Sequence, residues 1–324
     1  MTEKQKDNKI PLLVLVGPTA VGKSALALKI ARRIKTDIIS ADSAQVYRGL
    51  DIGTAKPSAA EQKTVKHHLI NLVDPNQNFS VADYQNMAFK TIGELWKNNK
   101  LPFMVGGTGL YINAVIDCYA FGQKGPSPDL RNSYEQIALE EGLDKLYDRL
   151  KILDPEAASR IHPNDRRRII RALEVYTQEG KPISEQVAKT SGLETPYNTL
   201  IYGLYMERSD LYRKIEKRVE MMIEEGWLDE VRRLHNRGYR EDDPGMQILG
   251  YQQLLLYLQG AVSWPDTIDD IKKQTRNLAK RQLTWFRRKK EVEWIKITDN
   301  TSFDNLIENI CFKVKDLLPA RSNN

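Results

Sequence analysis

Cysteine is scarce. Cys118 and Cys311 are the two in 324 residues, far apart and in neither a zinc-ligand spacing nor a disulfide framework. No apolar run approaches the ~20 residues that a membrane span needs. Residues 1–9 are polar and lack the apolar stretch of a secretory signal, so the cytoplasm is expected. His67 and His68 are two of only four histidines. Being adjacent, their side chains diverge, and no third ligand stands near them in sequence, so a structural pair is expected over a metal site. With 19 glycines and 14 prolines there is no low-complexity linker and no internal repeat. These absences exclude a disulfide scaffold, an integral helical membrane protein and a zinc module.

What is present is an ordinary globular composition, 41% hydrophobic and 28% charged, long enough for two domains or one domain with an insertion. Residues 9–121 alternate strand and helix signals. Pro11 to Val16 is a buried-strand run, and Asp37 to Ser40 is a second short strand. Val81 to Asn98 is a helix behind a Phe79-Ser80 staple and cap, and Leu101 to Val105 is a third strand. The fold class is therefore α/β: a P-loop NTPase-like parallel sheet flanked by helices. The pattern breaks at a Gly/Pro/Ser-rich stretch, Phe121 to Asp129. Residues 122–198 carry only helix signals and read as an all-helical insertion. Residues 199–318 resume with a strand at Thr199 to Met206, one long helix from Ser209 to about Asn236, and helices over Gln252 to Leu258 and Thr267 to Arg288. A strand at Trp294 to Ile297 and a last amphipathic helix follow, and 319–324 is a tail.

One stretch organises the rest. Gly17-Pro18-Thr19-Ala20-Val21-Gly22-Lys23-Ser24 has the spacing of a phosphate-binding loop, and it lies between a buried strand and an amphipathic helix. The glycines let backbone N–H groups converge on an anion at a helix N-terminus, where Lys23 adds charge and the Ser24 hydroxyl is placed to ligate Mg2+. A nucleoside triphosphatase would also end a strand in an acid that holds this metal. Here the third strand ends in Gly106-Gly107-Thr108-Gly109 instead. Bound pyrophosphate, with an opening between two glycine turns, fits better than ATP hydrolysis.

Asp42 ends the second strand on the same sheet edge. It serves either as the cap of its own turn or as a general base or metal ligand. Arg218 shares a helix face with Ile215 and Met222, and reaches either the edge of the core or the phosphate site. Two basic clusters stand out. Arg166, Arg167, Arg168 and Arg171 open a helix of the insertion. Between Ile271 and Lys290 there are nine Lys/Arg and no acid, with Trp285 and Phe286 among them. Solvated faces usually mix signs, so these clusters favour a phosphate backbone and a stacked base.

With these residues assembled, the chain resembles the tRNA isopentenyltransferases (tRNA dimethylallyltransferases) of bacterial type over about Ile10 to Lys296. The resemblance rests on the loop 17–24, Ser40 to Arg48 (SADSAQVYR), Asp51 to Pro57 (DIGTAKP) and Val105 to Tyr111 (VGGTGLY). It continues in His162 to Asp165 leading to Arg171-Ala172-Leu173-Glu174, in Leu249-Gly250-Tyr251, and in Lys280 to Arg287 (KRQLTWFR). It implies transfer of a dimethylallyl group from dimethylallyl diphosphate to N6 of the adenosine at tRNA position 37, with Mg2+ and release of diphosphate. It further implies Asp42 as base and Lys23, Thr108 and Arg218 as the other catalytic residues. tRNA contacts are implied at Asp42, Ser43, Ala44, Gln45, Thr108, Arg131, Arg167, Arg168, Arg171, Gln247, Gly250, Tyr251, Gln252, Lys280, Arg281, Gln282, Trp285 and Arg287. The partner would be an anticodon stem-loop, with no membrane, and the protein a monomer. The alternatives are a P-loop small-molecule kinase and an adenylate isopentenyltransferase.

Overall fold

The computed structural model describes residues 9–121, 125, 127–185 and 195–317. Its sheet has six strands, β1 (Ile10–Val16), β2 (Ile38–Ala41), β3 (His67–His68), β4 (Phe103–Gly106), β5 (Tyr197–Tyr205) and β6 (Val292–Lys296). All pairings are parallel, in the order β3-β2-β4-β1-β5-β6. Val16 and Ala41 both register with Gly106, so β1, β4 and β2 end level. The turns after them, at Gly17, Gly107 and Asp42, therefore share one edge. The chain adds strands first on one side of β1 and later on the other, and ligands of open α/β sheets gather at such a reversal.

Helices follow the strands in chain order. Those before the insertion are α1 (Lys23–Ile34), α2 (Ala59–Thr64), α3 (Val81–Lys97) and α4 (Gly109–Ile116). α1 forms because Leu26, Ala27, Ile30 and Ala31 make one buried stripe against Leu13, Leu15, Val105 and Leu204. Each such large side chain contributes roughly 1.5–3 kcal/mol by leaving water. α3 starts at a capping box: Asp83 N–H donates to Ser80 Oγ at 3.1 Å, and Ser80 N–H to Asp83 Oδ2 at 2.9 Å.

Residues Asp117–Thr195 form a separate compact unit, bounded a few residues earlier at each end than the sequence break indicates. It holds α5 (Pro128–Glu140), α6 (Leu143–Leu153), α7 (Pro155–Arg160) and α8 (Arg166–Glu179). These enclose their own core of Tyr134, Leu146, Leu150, Ile169, Ala172 and Leu173. Residues 186–194 near the end of the insertion and part of the break at 121–129 lie outside the described residues, as does the 319–324 tail.

After β5 come α9 (Arg208–Glu224), α10 (Trp227–Asn236), α11 (Tyr251–Leu258), α12 (Trp264–Phe286) and, beyond β6, α13 (Phe303–Leu317). The expected single helix 209–236 is thus two. Gly226, at φ +95°, is in the left-handed region and turns the chain between α9 and α10. The turn drives Trp227 into the core, where it is 2% exposed. β3 and α2 are too short to leave a periodic signal.

Candidate functional site

The loop between β1 and α1 is left open for an anion. Gly22 caps α1 at φ +102° with no side-chain hydrogen bond, so the helix N–H groups have no competing acceptor there. Thr19, Ala20, Gly22, Lys23 and Ser24 line a cavity of about 1070 Å³, whereas Gly17, Pro18 and Val21 are buried beneath it. Lys23 Nζ donates to the Pro18 carbonyl at 2.6 Å. Burial, and then the nearby Arg218 guanidinium, push the Lys23 ammonium down to about 7 against the opposing pull of Asp42.

Asp42, just beyond β2, caps its own turn and also faces the cavity. Its Oδ1 accepts the Ala44 N–H at 2.9 Å and caps the turn, while its side chain lines the cavity. No hydrogen bond reaches its other oxygen among the described residues. Thr108 fixes this turn from β4: its Oγ1 accepts the Ser43 N–H at 3.0 Å, and its own N–H donates to the Ala41 carbonyl at 3.1 Å. Arg218 lines the same cavity from α9, with Lys217 beside it at the rim. Burial lowers the Arg218 guanidinium, while Asp42 and Glu225 oppose that. Arg218 therefore faces inward and does not extend into solvent. Lys23, Arg218 and Asp42, dispersed in sequence, share one space.

The opposite wall is the 51–57 loop. Gln45 spends its amide on it: Nε2 donates to the Thr54 and Ala55 carbonyls at 3.2 and 3.3 Å, and Oε1 accepts from Ser40 Oγ at 2.9 Å. Lys56 donates to Tyr47 O, Asp51 Oδ1 and Asn71 Oδ1 at 2.8, 2.7 and 2.6 Å, all three of its protons used. From below, the Glu230 carboxylate, 4% exposed, accepts the N–H groups of Asp51 and Ile52 and the Tyr251 hydroxyl at 2.6 Å. Trp227 lies so close under Gly53 and Gly250 that a Cβ at either position would meet its ring at 2.1 Å. Residue-by-residue reading missed this scaffold. Its one signal was a carboxylate, Glu230, within the apolar stripe Trp227, Val231 and Leu234.

Several residues expected to touch RNA are occupied otherwise. Gly250 and Tyr251 are buried, Tyr251 at 0% exposure, and Tyr251 spends its hydroxyl on Glu230 and Gly53, so neither presents a surface. Gln282 is turned inward, with both ends of its amide hydrogen-bonded. Gln45 braces the 51–57 loop, Ser43 and Ala44 stay partly exposed in the turn, and Gln247 and Gln252 are exposed.

The basic clusters are acid-free in sequence but not in space. In the helical unit, Arg166 pairs with Glu135, Arg168 with Asp165 at 3.3 Å, and Arg171 with Glu174 at 2.8 Å. Arg131 reaches the same buried Glu174 at 3.1 Å. The hydrogen bonds from Arg171, the Ser127 N–H and Arg131 outweigh the cost of burying Glu174 and hold its carboxyl below the usual range. Arg167 is exposed with no ion-pair partner among the described residues. On α12, Lys272 pairs with Glu220 and Arg276 with Glu216. Lys280, Arg281 and Arg287 are exposed and have no ion-pair partner among the described residues, and Trp285 is partly exposed beside them.

His68 Nε2 lies 3.0 Å from Asp37 Oδ2, and Lys100 Nζ 2.6 Å from Asp37 Oδ1, which anchors β3. For Mg2+ the chain offers the Ser24 hydroxyl and the Asp42 carboxylate on one cavity, and no cluster of three His, Cys, Asp or Glu among the described residues. That sparse oxygen set fits an ion that takes most of its ligands from water and a bound diphosphate. Among the described residues, no helix is long and apolar enough to cross a membrane.

A family model described as IPP transferase matches residues 45–289. A tRNA dimethylallyltransferase of Halalkalibacterium halodurans is 46% identical over 302 residues, covering 93% of this chain and 96% of that protein. The Bacillus subtilis protein of the same name is 44% identical, covering 90% and 92%. A full-length tRNA isopentenylpyrophosphate transferase from Bacillus halodurans superposes with a TM-score of 0.71 at 44% identity, over 95% of this chain and 97% of that one. A eukaryotic dimethylallyltransferase acting on tRNA gives 0.80 at 26% identity, over 97% and 81%. A parallel sheet whose edge gathers Lys23, Asp42, Thr108 and Arg218, together with these matches along nearly the whole chain, makes this protein a member of the IPP transferase family.

Proposed function

We propose that the chain transfers a dimethylallyl group from dimethylallyl diphosphate to N6 of the adenosine at position 37 of tRNA, releasing diphosphate. The observation that carries this is the placing of two cations, Lys23 and Arg218, and one carboxylate, Asp42, around a single cavity beside an uncapped helix N-terminus. Its volume of about 1070 Å³ exceeds the ~300–1,000 Å³ usual for one small ligand. That leaves room for a diphosphate donor and an extruded base.

The chemistry follows from the residues. An adenine amine is a weak nucleophile because its lone pair is delocalised into the ring, and the base is unreachable until it leaves its stack. N6 forms a bond to C1 of the dimethylallyl group as the C1–O bond breaks, and the electron pair of that bond leaves on diphosphate. Lys23, Arg218 and the α1 amides stabilise the charge developing there. Asp42 accepts the N6 proton on the oxygen that its turn leaves free, and Thr108 holds the turn in register. Mg2+ bound to the diphosphate and the Ser24 hydroxyl would supply further neutralisation of the leaving group. Exposed Lys280 and Arg281 on α12, Arg287 just past its end and Arg167 in the helical unit are cations available to RNA phosphates.

The deciding assay supplies labelled dimethylallyl diphosphate and an unmodified anticodon stem-loop, then maps the product by mass. Label on the adenosine beside the anticodon is the expected result. Equal transfer to free AMP would move the assignment to an adenylate transferase. Phosphoryl transfer from ATP without prenyl transfer would overturn the reading.

A further inference from the structure

α12 reaches the cavity through one side chain. Lys280, Arg281 and Arg287 face outward, and Gln282, next in the chain, faces inward. Its Oε1 accepts the Thr19 N–H at 2.9 Å, and its Nε2 donates to the Gly107 carbonyl at 3.1 Å. Thr19 belongs to the loop after β1 and Gly107 to the turn after β4, and both line the cavity. The approach is close: a Cβ on Gly107 would sit 2.3 Å from Gln282 Nε2, so a side chain there would push the Gln282 amide aside. One helical turn on, Trp285 lies against Gly109, where a Cβ would meet its ring at 2.2 Å. The basic helix and the phosphate loop are therefore joined by a two-ended amide bridge, and among the described residues Thr19 is the loop amide committed to α12.

We propose that Gln282 is a positioning residue that couples RNA held on the outer face of α12 to diphosphate held by the 17–24 loop. Gln282 sits on the backbone that carries Lys280 and Arg281, so any preference of bound RNA for one setting of α12 is transmitted to Thr19 and Gly107. By linkage, a filled loop favours the same setting of the helix. The inference rests on the reading of the loop as the donor site and of α12 as an RNA face. It replaces the sequence expectation that Gln282 itself contacts tRNA.

The test measures binding of inorganic pyrophosphate to the full chain with and without an unmodified anticodon stem-loop. Wild type is compared with Gln282→Met, which keeps length but makes neither hydrogen bond. Gln282→Leu, which is neutral and also makes neither hydrogen bond, stands in if the first variant does not fold. The stem-loop is expected to tighten pyrophosphate binding about fivefold or more in wild type, at the lower end of ordinary coupling. The variants should show less than about twofold, with each ligand bound alone within about threefold of wild type. An equal coupling factor in wild type and variant overturns the inference, as does an absence of coupling in wild type. A loss of about tenfold or more in stem-loop affinity without pyrophosphate also overturns it, because that marks a direct RNA contact. If Arg281→Glu leaves stem-loop affinity unchanged, the RNA face itself is wrong and the coupling falls with it, a failure distinguishable from the others.

Discussion

The ammonium of Lys23 donates to the carbonyl oxygen of Pro18 at 2.6 Å, a backbone contact made inside the phosphate loop itself. Burial and Arg218 lower this group to about 7 from an ordinary 10.5. In the free protein it thus loses its proton as pH rises through 7. A bound diphosphate favours the charged form and restores it, so binding above pH 7 takes up a proton. Pyrophosphate affinity should fall with pH between 7 and 9, by up to about tenfold per unit, and be flat in this respect below 7. Calorimetry at pH 8 in two buffers of different ionisation enthalpy reads the uptake directly, and Lys23→Arg should abolish it. Zero uptake in wild type would place the Lys23 charge outside the binding event. The same shift acts on stability: between 7 and 10.5 the unfolded chain binds more protons here, so this group's contribution to stability rises with pH.

Asp42 divides its two oxygens between structure and cavity, which allows the two functions to be separated. Asparagine keeps an oxygen for the Ala44 N–H and loses the basic one. Asp42→Asn should therefore melt close to wild type while kcat falls by about 10²–10⁴, the usual scale of general-base loss. Stem-loop binding should be nearly retained. An unchanged kcat would remove Asp42 from proton transfer.

How much of this was legible in the sequence divides along physical lines. Periodicity located β1, α1, α3 and the insertion because each puts a repeating apolar pattern against a core. It joined α9 to α10 because the stripe of Leu211, Ile215 and Val219 continues into Val231 and Leu234, and only the backbone angle of Gly226 separates them. The loop 17–24 carries its own local signature. The bridge from Gln282 to Thr19 spans 263 positions and leaves none. The ion pairs of the basic clusters are hidden for a related reason: the partners of Arg166, Lys272 and Arg276 come from other helices, which a run of one sign cannot reveal.

Glu230 gives a stability prediction. Its removal strands the part-buried N–H groups of Asp51 and Ile52 and the buried Tyr251 hydroxyl. Each unsatisfied group costs about 1–3 kcal/mol, so Glu230→Ala should lose on the order of 3–5 kcal/mol. Tyr251→Phe removes one hydroxyl and should lose about 1 kcal/mol. Because the 51–57 loop walls the cavity, Glu230→Gln, which retains one acceptor, should raise the KM for RNA severalfold while leaving the melting temperature within about 4 °C of wild type. Denaturant unfolding and steady-state kinetics separate the two, and a Glu230→Ala variant as stable as wild type would deny the network its role.

The cations of α12 differ in what surrounds them, so they should differ in what they do. Arg281 is exposed and has no ion-pair partner among the described residues, while Lys272 is tied to Glu220 at 2.6 Å. RNA affinity falls with salt in proportion to the number of phosphates neutralised, with a logarithmic slope of about 0.7–0.9 per contact. Arg281→Glu should weaken stem-loop binding at low salt and reduce the slope by about that amount. Lys272→Glu repels Glu220 but releases no phosphate contact, so its slope should match wild type even if its stability drops by several tenths of a kcal/mol, the scale of an exposed pair. Titration by fluorescence anisotropy at four salt concentrations resolves the difference. Equal slopes for Arg281→Glu and wild type would show the outer face of α12 to be solvated rather than bound.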